Sequence, residues 1–192
     1  MKQFILLVIT LLMSTSSIAQ DSIPKHLIGK IKFPVFDYHP YVGVIDVEFD
    51  QLKYDPEVDY KVAIDVYEKL QDSSKVLSAF REVGRTYNLN IANGVPQDKL
   101  KMAVVIHGYA VDAILSHEKY KEKYGIENPN LEILDSYAKQ GITMYVCGQN
   151  IGMFNLTDED ISEAVGIAIS AKTTLIYLDQ KGYSALDVNM DE

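Results

Sequence analysis

The stretch MAVVIHG, residues 102–108, decides the fold. Its apolar residues run on without alternating with polar ones, which is typical of a strand buried on both faces, as in a parallel sheet. Two segments with helical patterns, residues 109–115 and 117–124, follow it directly. A buried strand followed by helices is the unit from which parallel α/β sheets are built, because parallel strands need long crossover connections.

The same alternation of strand and helix patterns extends on both sides of this unit. Ahead of it, residues 60–67 (YKVAIDVY) predict a strand and residues 73–91 a helix. After it, the pattern predicts a helix at 131–140, a strand at 142–146, a turn-rich loop, a strand at 165–169, a helix at 172–180 and a strand at 182–188. The fold class is therefore α/β, with an open, mainly parallel sheet of about five strands and helices on both faces. The spacing does not give the strand order.

The first residues are typical of a cleavable signal peptide. A lysine precedes an apolar run at 4–13, and Ser17-Ile18-Ala19 is a small-x-small cleavage signal. The run is too short to span a bilayer. We therefore expect a signal peptide at 1–19, an N-terminal extension at 20–57 and an α/β domain at 58–192, in a protein that is periplasmic or secreted.

The charge of the chain argues against two classes of partner. The formal net charge is -9, and loss of Lys2 with the signal peptide would bring it to roughly -10. Nucleic-acid binding needs a basic footprint, and no stretch of the sequence supplies one. We therefore expect no nucleic-acid partner and no binding to anionic membrane surfaces.

The only cysteine, Cys147, lies in MYVCGQNIGM, between a predicted strand and a glycine. An exported protein meets an oxidising compartment, yet a single cysteine cannot form an intrachain disulfide. Two interpretations remain open. The thiol is either a small buried core residue or a reactive group at the mouth of a site.

Three predicted strands end in residues that could take part in binding or catalysis. These residues are His107 and Gly108, then Cys147, Gly148 and Gln149, and finally Ser170 with Ala171. Ligands of open parallel sheets bind beyond the carboxyl ends of the strands, so these residues converge if their strands are neighbours. Glycine at two of the three ends allows a sharp turn or close approach to a ligand. Taken singly, a turn glycine and a hydrogen-bonded histidine explain the pattern equally well.

A metal site is the competing chemistry. Cys147 and His107 are compatible zinc ligands, but a catalytic zinc usually takes three protein ligands. The third candidate, His117, lies in the charged helical pattern HEKYKEK, where a solvated histidine is the simpler interpretation. No motif for a nucleotide, a redox dithiol or a serine hydrolase is present. We expect no metal and no cofactor.

The ordered segments DYKVAIDVY, VVIHGYA, NPNLEIL, GITMYVCGQN, AISAKT and GYSAL resemble the DsrE/DsrF-like family of sulfur-relay proteins. The likeness is greatest to its exported single-domain branch and covers residues 59–188. It implies an open α/β domain with a parallel five-stranded sheet, commonly assembled into trimers or hexamers. It also implies that Cys147 is the cysteine that carries sulfur as a persulfide, with His107 in the family's HG position.

The leading hypothesis is an exported sulfur-handling protein. Cys147 would act as nucleophile and carrier and His107 as proton acceptor, while the substrate would be held by Gly108, Gly148, Gln149 and Ser170. Its partners would be a sulfur donor or acceptor protein, or a small sulfur compound. The alternatives are a non-enzymatic module that binds a small ligand or metal around a structural cysteine, and a redox-sensing thiol.

Overall fold

The computed structural model describes residues 23–47 and 52–189. The signal peptide expected at 1–19 lies outside the described residues. Within the described ranges, no helix has both the length and the apolar character needed to cross a membrane.

The N-terminal extension forms a small antiparallel ribbon. Strand β1 (Ile31–Lys32) pairs with β2 (Val44–Ile45). The buried side chain of Asn88 holds this segment. Its amide oxygen accepts the N–H groups of Val35 and Phe36, and its amide nitrogen donates to two carbonyl oxygens.

The main sheet contains β3 (Tyr60–Val66), β4 (Leu100–Ile106), β5 (Thr143–Cys147), β6 (Gly166–Ala168) and β7 (Ser184–Asp187). Its order is β6-β5-β4-β3-β7, and every neighbouring pair is parallel. The parallel five-stranded sheet predicted from the sequence is confirmed. The apolar residues 102–106 lie in β4, the central strand.

The helices are α1 (Ser78–Ala92), α2 (His117–Tyr124), α3 (Leu131–Lys139), α4 (Gly148–Met153) and α5 (Ala171–Gln180). The described residues also form four 3-10 segments, Lys25–Leu27, Pro40–Val42, Gly108–Ile114 and Asp158–Asp160. Gly141 follows α3 in the left-handed region, with φ of 77°, as its position in the sequence predicts.

The two faces of the sheet carry different cores. We call the face covered by α1, α3 and the 3-10 segment 108–114 the large face, and the opposite one the α5 face. Along β4, Met102, Val104 and Ile106 pack into the large face, whereas Ala103 and Val105 pack beneath α5. This alternation explains the unbroken apolar run, because both sides of the strand are buried.

The loop expected directly after Cys147 is wrong: α4 begins there, at Gly148. Two glycines in GQNIGM lower its helix propensity, so the local sequence argues against a helix. Tertiary contacts stabilise it instead. Ile151 is buried, and the side chain of Asn150 accepts the backbone N–H of Gly108 at 3.0 Å.

Candidate functional site

The strand order brings together the three strand ends singled out in the sequence, because β4, β5 and β6 are neighbours. Cys147 is in register with Ala168, and Val146 with Ile106. His107 and Cys147 therefore each lie one residue beyond the last β4–β5 pair. The condition for a shared site at this edge of the sheet is met.

Cys147 is the last residue of β5, and its side chain is buried on the α5 face. It is 7% exposed and belongs to the small buried cluster of this face, together with Ala63, Ala103, Val105, Ala171 and Leu178. Three members of this cluster are alanines, and the cluster is much smaller than the core of the large face. Cys147 is a free cysteine, and among the described residues no hydrogen bond reaches its sulfur.

Gly148 and Gln149, the first two residues of α4, contact the turn after β6. A Cβ atom on Gly148 would lie 2.7 Å from the carbonyl oxygen of Ala168, so only glycine fits without a backbone shift. The amide of Gln149 donates to the carbonyl oxygen of Ile169 at 3.1 Å. Both residues thus have a structural task at the edge of the site, and their contact with a substrate stays a prediction.

Ser170 is the N-cap of α5. Its hydroxyl oxygen accepts the backbone N–H of Thr173 at 3.1 Å, which satisfies one of the free donors of the first helical turn. The helix that begins here brings Ala171 into the same buried cluster as Cys147. Ser170 therefore positions α5 beside the thiol, and a role in binding substrate stays a prediction.

Gly108 adopts a φ of 59°, in the left-handed region that favours glycine. This conformation turns the chain from β4 into the 3-10 segment and aims its N–H at the side chain of Asn150. Sequence analysis missed Asn150. Its only signal is a short polar side chain close after the cysteine.

His107 contacts β3 rather than the thiol. Its Nε2 lies 3.0 Å from Oδ1 of Asp65, and its backbone N–H donates to the carbonyl oxygen of Val66 at 2.9 Å. The ring of Tyr67 packs at 5.4 Å between centroids. No hydrogen bond joins His107 to Cys147 within the described part of the chain. Sequence analysis also missed Asp65, whose signal is a carboxylate inside the apolar strand YKVAIDVY.

His117 is exposed on α2, as the charged pattern predicts, and its Nδ1 accepts the backbone N–H of Asn128 at 3.2 Å. It is not drawn into the site. Across residues 23–47 and 52–189, no group of three or more histidine, cysteine and carboxylate side chains is arranged to hold a metal.

An acidic groove of about 440 Å³ extends from Asp65 along the α5 face. Asp179 and Asp187 also line it, beside Leu175 and Tyr183. Asp187 is in register with Asp65 on the neighbouring strand. Hydrogen bonds from the side chain and backbone of Asn189 lower the pKa of Asp187, so this carboxylate is charged at neutral pH.

These features define an α/β domain with a buried cysteine at the carboxyl edge of a parallel sheet, next to a histidine on the adjacent strand end. The sequence matches the DsrE/DsrF-like family over residues 61–188. The chain therefore belongs to this family, and membership points to sulfur-relay-related chemistry. Comparison with curated proteins gives no match.

Two solved structures share the fold. MTH1491 from Methanobacterium thermoautotrophicum, a protein of unknown function, aligns with a TM-score of 0.51 at 16% identity, over 68% of this chain and 100% of its own. The ychN protein from E. coli aligns with a TM-score of 0.50 at 15% identity, over 67% of this chain and 99% of its own. At these identities the likeness concerns the fold alone.

Proposed function

We propose that this protein carries sulfane sulfur as a persulfide on Cys147. The observation that carries the proposal is the position of the thiol: it ends β5 at the sheet edge where ligands of this architecture bind, between the ends of β4 and β6. The family's sulfur-relay chemistry supplies the reaction class.

The reaction needs no oxidant or cofactor. The thiolate of Cys147 attacks the outer sulfur of a persulfide R–S–SH, a new S–S bond forms on the protein, and R–S⁻ leaves. An acceptor thiolate then attacks the outer sulfur of the Cys147 persulfide and restores the thiolate. One sulfur atom moves in each step, and each S–S bond that breaks is replaced by another.

The burial of Cys147 limits the size of the sulfur donor that can reach its thiol. A side chain that is 7% exposed is reached by a small inorganic polysulfide more easily than by a bulky reagent. A protein donor would need the start of α4 or the start of α5 to move aside. We therefore propose a small sulfur compound, or a donor protein that inserts its persulfide, as the partner.

The test is the intact mass of the native protein after exposure to inorganic polysulfide, with and without reductant. We expect a reducible gain of one or more sulfur atoms that is absent from Cys147→Ser. The matched control is Ala103→Ser, which places a hydroxyl on the same face and leaves the thiol in place. A loaded Cys147→Ser variant, or a wild type that gains no sulfur, would refute the proposal.

The alternative of a structural cysteine predicts a different result. The thiol would then react with a small alkylating reagent only after denaturation, because its burial, at 7% exposed, would exclude the reagent. Alkylation of the native protein at a measurable rate, with its secondary structure intact, would rule out that alternative.

We propose that the protein acts as a homo-oligomer, a trimer or hexamer, in the periplasm or outside the cell. Ile169, Ile176 and Tyr177 are 73%, 64% and 58% exposed, and such apolar surface favours association. Light scattering should give an oligomeric mass that falls in Ile176→Lys. A monomeric wild type would contradict this proposal.

Export is checked by expressing the full chain and measuring the mass of the product, which should lack residues 1–19.

A further inference from the structure

We propose that Asp65 is the positioning residue of this site: its carboxylate fixes the tautomer and orientation of His107, and His107 handles the proton of Cys147. The inference deepens the proposed sulfur carriage and rests on it. Asp65 is assigned no contact with the substrate.

The sheet geometry places the three side chains on one face. Asp65 on β3 is in register with Val105 on β4, and His107 lies two residues further along the same chain. Side chains two residues apart in extended backbone share a face, so His107 projects with Val105 onto the α5 face, where Cys147 also lies. Strand ends of neighbouring strands are about 4.8 Å apart. His107 is thus flanked by Asp65 on one side and Cys147 on the other.

We infer from this hydrogen bond which ring nitrogen carries the proton. A carboxylate only accepts, so at 3.0 Å His107 Nε2 is the donor and Asp65 Oδ1 the acceptor. In the neutral ring, Nδ1 is then the basic nitrogen. The hydrogen bond to Asp65 therefore leaves Nδ1 unprotonated and able to accept a proton from the thiol.

Both partners are partly withdrawn from solvent, with side chains that are 30% exposed in His107 and 27% exposed in Asp65. A charged group that is partly buried is costly unless it is paired, and His107 supplies the pair. The ring of Tyr67 packs against the imidazole, and the Tyr67 hydroxyl donates to Asp187 at 3.2 Å. These contacts restrict the orientation of the imidazole ring.

The backbone around Asp65 is fixed by the C-terminal segment. The amide of Asn189 donates to the Asp65 carbonyl oxygen at 2.9 Å and accepts the N–H groups of Tyr67 and Glu68. Because β7 ends at Asp187, Asn189 replaces the missing strand partner at this point.

The proton balance follows from this arrangement. As Cys147 attacks the outer sulfur of R–S–SH, its proton passes to Nδ1 of His107, directly or through one water. The departing R–S⁻ takes the proton back and leaves as R–SH. Asp65 stabilises the imidazolium between these steps and keeps its own charge, as the orienting carboxylate does in serine proteases.

The test compares Asp65→Asn with Asp179→Asn, which removes the same charge from the same groove. Asp179 is an exposed residue of α5 that makes no hydrogen bond to His107 among the described residues. We expect polysulfide loading at pH 7 to slow by about tenfold or more in Asp65→Asn, because general-base catalysis depends on a correctly placed nitrogen. Asp65→Glu should restore part of the rate, and Asp179→Asn should load at the wild-type rate.

A nitrogen NMR spectrum of His107 gives a readout independent of sulfur chemistry. The wild type should show the Nε2–H tautomer, and Asp65→Asn should shift the population towards Nδ1–H. The inference is overturned if Asp65→Asn loads at the wild-type rate, or if its tautomer is unchanged while its fold is intact. A wild type that shows the expected tautomer but takes up no sulfur refutes the proposed function instead, so the two failures are distinguishable.

Discussion

The two faces of the sheet differ in how they are covered. The large face is packed with whole aromatic and aliphatic side chains from α1 and α3, among them the fully buried Phe80, Tyr87 and Tyr137. The α5 face has one helix over small residues such as Ala63 and Ala103, and it contains Cys147. The comparison indicates that the large face supplies most of the stability, while the thin face places a thiol close to solvent without exposing it.

The largest expected effect comes from truncating the large face. Phe80→Ala removes a fully buried ring and should lower the free energy of unfolding by about 3–5 kcal/mol. Leu178→Ala on the α5 face should cost about 2 kcal/mol, because its cavity lies near solvent and closes more readily. Chemical denaturation of both variants measures the difference. Equal losses of unfolding free energy in the two variants would contradict the proposed difference between the faces.

The next effect concerns the attachment of the N-terminal extension to the large face. Asn88→Ala removes four hydrogen bonds and leaves buried backbone groups unpaired, which should cost about 3 kcal/mol. Limited proteolysis should then cut within residues 23–47 faster than in the wild type. Asn90→Ala, on the same helix, loses one bond to the Thr86 carbonyl oxygen and serves as control. Similar effects of both substitutions would contradict the role of Asn88.

The large face should also make the protein sensitive to alkali. Burial raises the pKa of Tyr137 well above its usual value, and burial likewise raises that of Tyr38. In the unfolded chain both phenols ionise near pH 10. The contribution of their burial to the free energy of unfolding is therefore fully present below that pH and is lost as the pH rises above it. Above that pH, each phenol should lower the free energy of unfolding by about 1.4 kcal/mol per pH unit.

Denaturation between pH 8 and 11 measures this slope. Tyr38→Phe should reduce it, because that variant has one phenol fewer to ionise on unfolding. If the free energy of unfolding depends on pH equally in Tyr38→Phe and the wild type, the alkaline sensitivity does not come from this buried phenol.

The smallest effect is expected where β3 meets the C-terminal segment, beside the α5 face. Asn189→Ala should cost about 1 kcal/mol, since the site is partly exposed and water replaces some of the lost bonds. Hydrogen exchange at the amides of Tyr67 and Glu68 should accelerate, as these donate to Asn189. Unchanged exchange would show that this segment does not hold the end of β3.

Much of the fold follows from local patterns in the sequence. Unbroken apolar runs predict buried parallel strands, and Gly141 marks the end of the helix predicted at 131–140. The expected loop after Cys147 is wrong because the contacts that hold α4, including the bond between Gly108 and Asn150, are tertiary. The order of strands depends on pairing between distant segments, which spacing does not encode.

The candidate site was predicted only in part for the same reason. Residues at strand ends are visible in the sequence, so His107 and Cys147 were found and their strands are indeed neighbours. The partner of His107 was not found, because Asp65 lies 42 residues away on another strand. A charged residue within an apolar strand is the signal that would have indicated it.

The most direct test of the account is transfer of sulfur from the loaded protein. Protein treated with polysulfide is freed of excess reagent and mixed with glutathione, and the masses of both are followed. The account predicts that the added sulfur leaves Cys147 and appears as glutathione persulfide, with none from a Cys147→Ser sample treated alike. Sulfur that is retained on the folded protein, or that is released equally from the serine variant, would contradict it.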